Sequence, residues 1–332
     1  MTTTRIYQST DSGAPVLVGG VSSLINLLDK CLVTGYGSAP PAGWTKPFTG
    51  TDKAVFRNSV AAGGSGMYLR VVDDGSLTGG ARNASIRGYS TMSGVDTGAD
   101  ETPSVAQQSV GCVWRKSDTV DATARAWLLF ADERTFYLYS NTGTSTGGAG
   151  DSTYPAGDFA SYVPADGYAW MVGGRATAAA GGTNGETTVG IYARAGLNWT
   201  APATSQLWTG RGYSGTAGAV RHAIAMLNSS VESTGNVIGS SAVMNMTNPS
   251  LGSGDVYWQP PILAAQGTIR GVLRGIAMPL NNMTSVAVGT QYSGATGRPA
   301  GSVIQMLRHY TSTTGPGSDW MSCLAVETAL EW

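Results

Sequence analysis

Past Trp44 nearly every apolar run in the chain is short and bounded by Gly, Ser, Asn, Asp or Pro, which is the pattern of β-strands. The runs that read this way are Ala54–Val60, Met67–Asp73, Ala84–Gly88, Ser109–Lys116, Ala124–Ala131, Arg134–Ser140, Gly167–Gly173, Thr187–Arg194, Asn236–Met246, Thr268–Pro279, Ser302–Tyr310 and Cys323–Trp332. Two of them flank the polar pair Asp132-Glu133 and predict a hairpin, with Trp127 to Phe130 on one arm and Phe136 to Tyr139 on the other. In the last run Leu324, Val326, Thr328, Leu330 and Trp332 alternate with Ala325, Glu327, Ala329 and Glu331, so one side should be buried and the other wet.

One segment has helical spacing. Val21, Leu24, Ile25, Leu28 and Leu32 fall on one face, Ser22 or Ser23 is placed to cap the start, and Gly35 follows the end. A second helix is suggested at Ala217–Leu227, where Val220, Ile224 and Leu227 share a face. Between Gly35 and Trp44, Gly and Pro break any regular pattern and predict a loop. The expected fold is therefore mainly β with one amino-terminal helix (Val21–Leu32), arranged as β-sandwich or barrel-like domains joined by Gly-rich loops. Of those loops, Ser140–Gly157 is the best place for a boundary between an amino-terminal part (1–146) and a carboxy-terminal part (147–332). No repeat of fixed period points to a solenoid or propeller.

Composition changes the picture. The 332 residues include 47 glycines, and only 12% are charged against 42% apolar. Ordinary soluble domains carry about 7% glycine and about 25% charge. Such a chain can build a large core but has few charges to solvate its exterior, which points to a subunit whose surface is covered by neighbours. Its 20 basic and 21 acidic residues are scattered, without the basic stripe of a nucleic-acid binder. No apolar run approaches the roughly 18 residues needed to span a bilayer, and the opening residues lack the regions of a signal peptide. Cys31, Cys112 and Cys323 are odd in number and far apart, giving neither a disulfide framework nor a zinc motif; buried thiols in a cytoplasmically folded chain are expected.

Catalytic strings carry little weight. Gly210-Arg211-Gly212-Tyr213-Ser214-Gly215 fits the GxGxxG spacing, but a chain with 47 glycines produces such a spacing by chance, and no buried strand leads clearly into it. Gly143-Thr144-Ser145-Thr146-Gly147 matches a nucleophile elbow, yet flexible glycines follow it where a helix is needed. His222 and His309 have no local partner to orient them. Asp132, Glu133, Asp158 and Asp166 are carboxylates of the type a glycan hydrolase uses, by type alone. The nine tryptophans would form a sugar-binding platform only by converging on one surface; packing inside the protein is the plainer expectation. No cofactor, metal site or catalytic residue is expected.

Arg5 to Leu17, followed by Leu24 to Gly37 and by Ala42-Gly43-Trp44-Thr45, resembles the start of a family of tailed-bacteriophage virion structural proteins. The likeness continues through Lys53 to Arg57 and Met67 to Asp74, and touches Gly157 to Tyr162 and Val272 to Gly275. It is clear over the first 75 residues and patchy afterwards. The resemblance implies a non-enzymatic virion subunit, made in the host bacterial cytoplasm, that docks to copies of itself and to other virion proteins in the tail, neck or baseplate. The alternatives are a decoration protein on the capsid exterior and a receptor- or carbohydrate-binding module that meets a host surface glycan.

Overall fold

The computed structural model describes residues 4–143, 151–175, 206–212, 217–225, 256, 258–265, 268–279, 289–293, 298–308, 324–330 and 332. In chain order the strands are β1 (Arg5–Gln8), β2 (Thr45–Gly50), β3 (Lys53–Arg57), β4 (Tyr68–Val72), β5 (Asn83–Tyr89), β6 (Thr91–Gly94), β7 (Thr97–Ala99), β8 (Cys112–Arg115), β9 (Trp127–Ala131), β10 (Thr135–Asn141) and β11 (Asp151–Asp158). They continue with β12 (Ala160–Ser161), β13 (Trp170–Gly174), β14 (Gln206–Arg211), β15 (Ala217–Ala225), β16 (Trp258–Gln259), β17 (Ile262–Ala265), β18 (Thr268–Val272), β19 (Ile276–Pro279), β20 (Gln291–Ser293), β21 (Val303–Arg308) and β22 (Leu324–Glu327). The one α-helix among the described residues, α1 (Ser23–Leu28), runs on into a π-helical stretch at Asp29–Thr34. The chain is mainly β, with its helix near the amino terminus, as its patterning predicts.

The strands form a ten-stranded sheet of order β1-β9-β10-β11-β13-β14-β15-β17-β18-β12, an amino-terminal sheet β2-β3-β4-β5-β8, a carboxy-terminal sheet β16-β19-β22-β21-β20, and the hairpin β6-β7. All pairs in them are antiparallel, which lets alternate side chains face opposite layers. In the ten-stranded sheet that alternation divides the core. Leu129, Phe136, Leu138, Tyr154, Trp170 and Trp208 enter one cluster with the inner face of the amino-terminal sheet and with Leu24, Leu27 and Leu28 of α1. Phe130, Tyr137, Met171 and Leu207 point the other way, into a cluster with Leu263, Leu273, Ile276 and Val326. Because both faces are covered, β9 and β10 are buried at nearly every position. The outer face of the amino-terminal sheet is closed by β6-β7, where Met92 packs with Val55 and Tyr89.

The Asp132-Glu133 hairpin forms as expected, with Ala131 opposite Phe136, and the Asp132 carboxylate accepts the backbone N–H groups of Arg134 and Thr135 at 2.8 and 2.7 Å. The expected division at 146/147 falls inside a second hairpin, since β10 and β11 pair from Thr135–Gly157 to Asn141–Asp151.

The structure departs from the sequence pattern at five points. The helix does not begin at Val21, which is 51% exposed; Ser22 has a left-handed backbone (φ 60°), and the helix starts after it and extends to Thr34. Neither serine caps it: Ser22 donates its hydroxyl to Asp52 and Ser23 to the Val18 carbonyl, while the Leu24 N–H is taken by Asp73, far along the chain. Of the expected helix Ala217–Leu227, the described residues Ala217–Ala225 are strand, because β15 pairs with β14 and β17 and tertiary pairing overrides the local period. Thr268–Pro279 is two strands: a turn at Leu273–Gly275, with Gly275 at φ 67°, sends β18 and β19 into different sheets. The last run stops being strand after Glu327, and Glu327, expected on the wet side, is 2% exposed. Thr187–Arg194 and Asn236–Met246 lie outside the described residues.

Candidate functional site

Three of the carboxylates singled out in the sequence, Asp132, Asp158 and Asp166, are engaged by donors from other parts of the chain. Asp132 pairs with Arg274 at 3.2 Å besides holding its own hairpin turn, and Arg274 also reaches the Trp332 carbonyl, so the pair ties the ten-stranded sheet to the far end of the chain. Asp158 accepts Asn58 at 2.8 Å, the Ser65 N–H at 2.9 Å and the Ser65 hydroxyl at 2.5 Å, and meets Arg134 at 3.4 Å. It is 2% exposed, and burial pushes its pKa up in spite of those donors. Asp166 pairs with Arg270 at 2.6 Å and accepts the Ser161 hydroxyl at 2.6 Å. Glu133 sits against Gly43, where a Cβ would come within 2.9 Å of its side chain. Asp132, Asp158 and Asp166 are thus committed to donors, and Asp132 and Asp158 flank the same turn: Asp132 accepts the Arg134 and Thr135 N–H groups, the Thr135 hydroxyl donates to the Asp158 carbonyl at 2.7 Å, and Arg134 pairs with the Asp158 carboxylate.

A buried strand does lead into the GxGxxG string, contrary to expectation: Gly210 and Arg211 end β14, whose Leu207 to Gly210 are buried, while Tyr213, Ser214 and Gly215 lie outside the described residues. The next described element, β15, is a strand that pairs back antiparallel on β14, where the dinucleotide-binding motif needs a helix. Of the nucleophile-elbow string only Gly143 is described, and His309 lies outside the described residues, while His222 falls within β15 opposite Leu207. Cys31 and Cys112 are buried and unpaired; burial raises both thiols, Cys112 to about 12. Among the described residues no group of His, Cys, Asp or Glu is arranged to hold a metal ion, and no helix is long and apolar enough to cross a membrane.

The tryptophans do not form a surface platform within the described residues. Trp44, Trp114, Trp127, Trp170, Trp208 and Trp258 are buried and Trp332 is half-buried; Trp199 and Trp320 lie outside the described residues. Trp44 donates to the Asp132 carbonyl at 3.0 Å and Trp127 to the Pro15 carbonyl at 3.0 Å, so their polar ends are satisfied inside. Trp114 stacks on Tyr154 at 5.0 Å and meets Phe136 edge-on at 5.9 Å, gluing the amino-terminal sheet to the ten-stranded one.

Other fasteners are unmarked by any motif. Glu327 accepts the hydroxyl of Ser302 and the N–H groups of Val303, Ala329 and Leu330 at 3.0, 3.0 and 3.1 Å. Burial opposes its charge, but the Ser302 hydroxyl and those N–H groups outweigh it and hold the carboxyl below the usual range. Lys116, at the end of β8, donates to Asp73, to Ser23 at 3.1 Å and to the Gly20 carbonyl. Strand parity is the signal that marks it: Cys112 and Trp114 point into the core, and Lys116 is next in that series.

No protein-family model matches this chain, and no curated protein matches it either.

Proposed function

We propose that this protein is a non-enzymatic structural subunit of a tailed-bacteriophage virion, docking to copies of itself and to neighbouring virion proteins in the tail, neck or baseplate. The observation that carries the reading is where the charge has gone. Of 20 basic and 21 acidic residues, eleven are buried among the described residues, most of them in ion pairs or hydrogen-bonded to backbone carbonyls. The exterior is therefore poorer in charge than the composition already implies, and such surfaces suit contact with other subunits better than contact with water alone. The amino-terminal resemblance supplies the class of particle.

Counting the chain against the major capsid and tail-tube proteins in purified virions tests this. A low count, on the scale of a ring at the tail, is expected. A count on the scale of the capsid lattice moves the protein to the capsid exterior as a decoration, and absence from the particle overturns the structural reading.

A further inference from the structure

The contact between Lys116 and Asp73 differs from the other ion pairs of the described residues. The remaining deeply buried carboxylates meet arginine, whereas Lys46–Asp29 and Lys53–Asp96 are partly exposed. Here a primary amine and a carboxyl group touch with side chains 1% and 0% exposed. A guanidinium does not act as a nucleophile, but a buried lysine readily gives up its proton and becomes one.

The sheet fixes the geometry. Val71 of β4 pairs with Ile86 of β5, Ala84 of β5 pairs with Trp114 of β8, and all three strands turn these side chains to the inner face. Asp73 and Lys116 continue the inward series one step past Val71 and Trp114. By the same register Asp73 falls opposite Ala84, fully buried and bearing only a methyl, and Lys116 opposite Arg82, so the pair reaches diagonally across β5. The carboxylate is held from the other side by the Leu24 N–H at 2.9 Å, and its backbone carbonyl accepts the Ser22 N–H at 2.9 Å. Asp52 lies close enough that its charge acts on both partners; it accepts the Ser22 hydroxyl at 2.6 Å, and its carbonyl accepts the Asp73 N–H at 2.9 Å.

We infer that Lys116 and Asp73 condense into an intramolecular amide that staples β4 to β8 across β5. One proton moves along the Nζ–Oδ1 hydrogen bond, turning ammonium and carboxylate into amine and carboxylic acid. Burial favours that neutral pair, raising the Asp73 carboxyl to about 6 and lowering Lys116. The Nζ lone pair adds to Cγ, forming the C–N bond as the carbonyl π pair moves onto oxygen. Collapse breaks the C–O bond to the hydroxyl, which takes the proton shed by Nζ and leaves as water. No oxidant or co-reactant is needed. The amide keeps one N–H, which the Gly20 carbonyl is placed to accept. The product closes a covalent loop between residues 43 positions apart and fixes the sheet under the start of α1.

The test is the intact mass of the purified full-length chain under denaturing conditions, followed by peptide mapping. The expected mass is lighter than the sequence by one water, with Lys116 and Asp73 in one branched peptide that trypsin does not cut at Lys116. In Asp73→Asn the leaving group is ammonia, so that chain should be lighter by one ammonia, and Lys116→Arg should carry its full mass. A full-mass wild-type chain overturns the inference and leaves an ordinary buried ion pair. A lost water that maps to Asp74-Gly75 and returns on mild base treatment, the signature of a succinimide, overturns it as well.

Discussion

Trp170 sits in a slot made by glycine, and replacing that glycine has a sign that the geometry decides. A Cβ built on Gly210 of β14 would lie 2.5, 2.9 and 3.1 Å from three atoms of the Trp170 indole, and these are its three nearest neighbours. Gly210 has no positive φ, so the backbone itself accepts alanine. On backbone grounds alone Gly210→Ala in a strand should stabilise by about 0.5–1 kcal/mol. The indole is 1% exposed and has nowhere to retreat, so the overpacking cost of about 1–3 kcal/mol dominates, and the net expectation is a loss of about 1–2 kcal/mol. Trp170→Leu removes the ring atoms involved, itself costing about 3 kcal/mol for the cavity it leaves. In that background Gly210→Ala should become neutral or stabilising. The assay is a double-mutant cycle by urea denaturation, followed by far-UV circular dichroism because the cycle removes a tryptophan. A coupling energy above about 1 kcal/mol is expected, since contacting residues are non-additive. If Gly210→Ala costs the same in the Trp170→Leu background as in the wild-type chain, the slot plays no part in packing and the reasoning fails.

Tyr154→Phe should cost about 1–3 kcal/mol in the same assay, because the Tyr154 hydroxyl accepts the Arg115 N–H at 2.7 Å inside the core and phenylalanine leaves that donor bare. Glu327→Gln should destabilise at neutral pH by roughly 2 kcal/mol. The folded pKa of Glu327 lies below its unfolded value, so its contribution is present above the ordinary glutamate range and is lost as pH falls through the folded value. The gap between wild type and variant, read as denaturation midpoints at neutral and acid pH, should therefore close on acidification; a constant gap would show that Glu327 acts through shape alone. In a Cys323→Ser variant the native chain should show no thiol reactive towards an aromatic disulfide, and the denatured chain two, because Cys31 and Cys112 are buried and their thiols are raised.

Short apolar runs bounded by turn residues made the β-class legible, and they located β3, β4, β9, β10 and β21 to within a few residues. What they could not reach were the places where contacts distant in the chain decide. α1 begins at Ser23 because Asp73, forty-nine residues beyond Leu24, takes the Leu24 N–H, and no local serine reports that. β15 has an apolar spacing that suits a helix equally well, and only its pairing with β14 and β17 selects strand. Thr268–Pro279 reads as one run because its breaking point is a single Gly275 among apolar neighbours. Glu327 looks solvent-facing in the alternation, yet the donors that bury it come from Ser302 and Val303 and from the turn that follows. Asp132 and Asp158 stood out as carboxylates, but only the fold shows that Arg274 and Asn58 had already claimed them.

The glycine content acquires a second cause in the structure. Several glycines outside the left-handed region are places where a neighbouring layer comes too near for a side chain. At Gly88 a Cβ would lie 2.4 Å from Trp170 and at Gly174 2.7 Å from Cys112, each across the two layers; at Gly271 the crowding comes from within the sheet, 2.2 Å from the Ala160 carbonyl on the paired strand β12. Large aromatics fill one layer, and glycine in the facing layer receives them. Part of the glycine excess therefore belongs to the interior and says nothing of neighbours. The charge deficit moves the opposite way, since burying eleven charged side chains leaves still fewer outside. The case for a surface made to meet other subunits thus rests on where the charges are, and only secondarily on how many glycines there are.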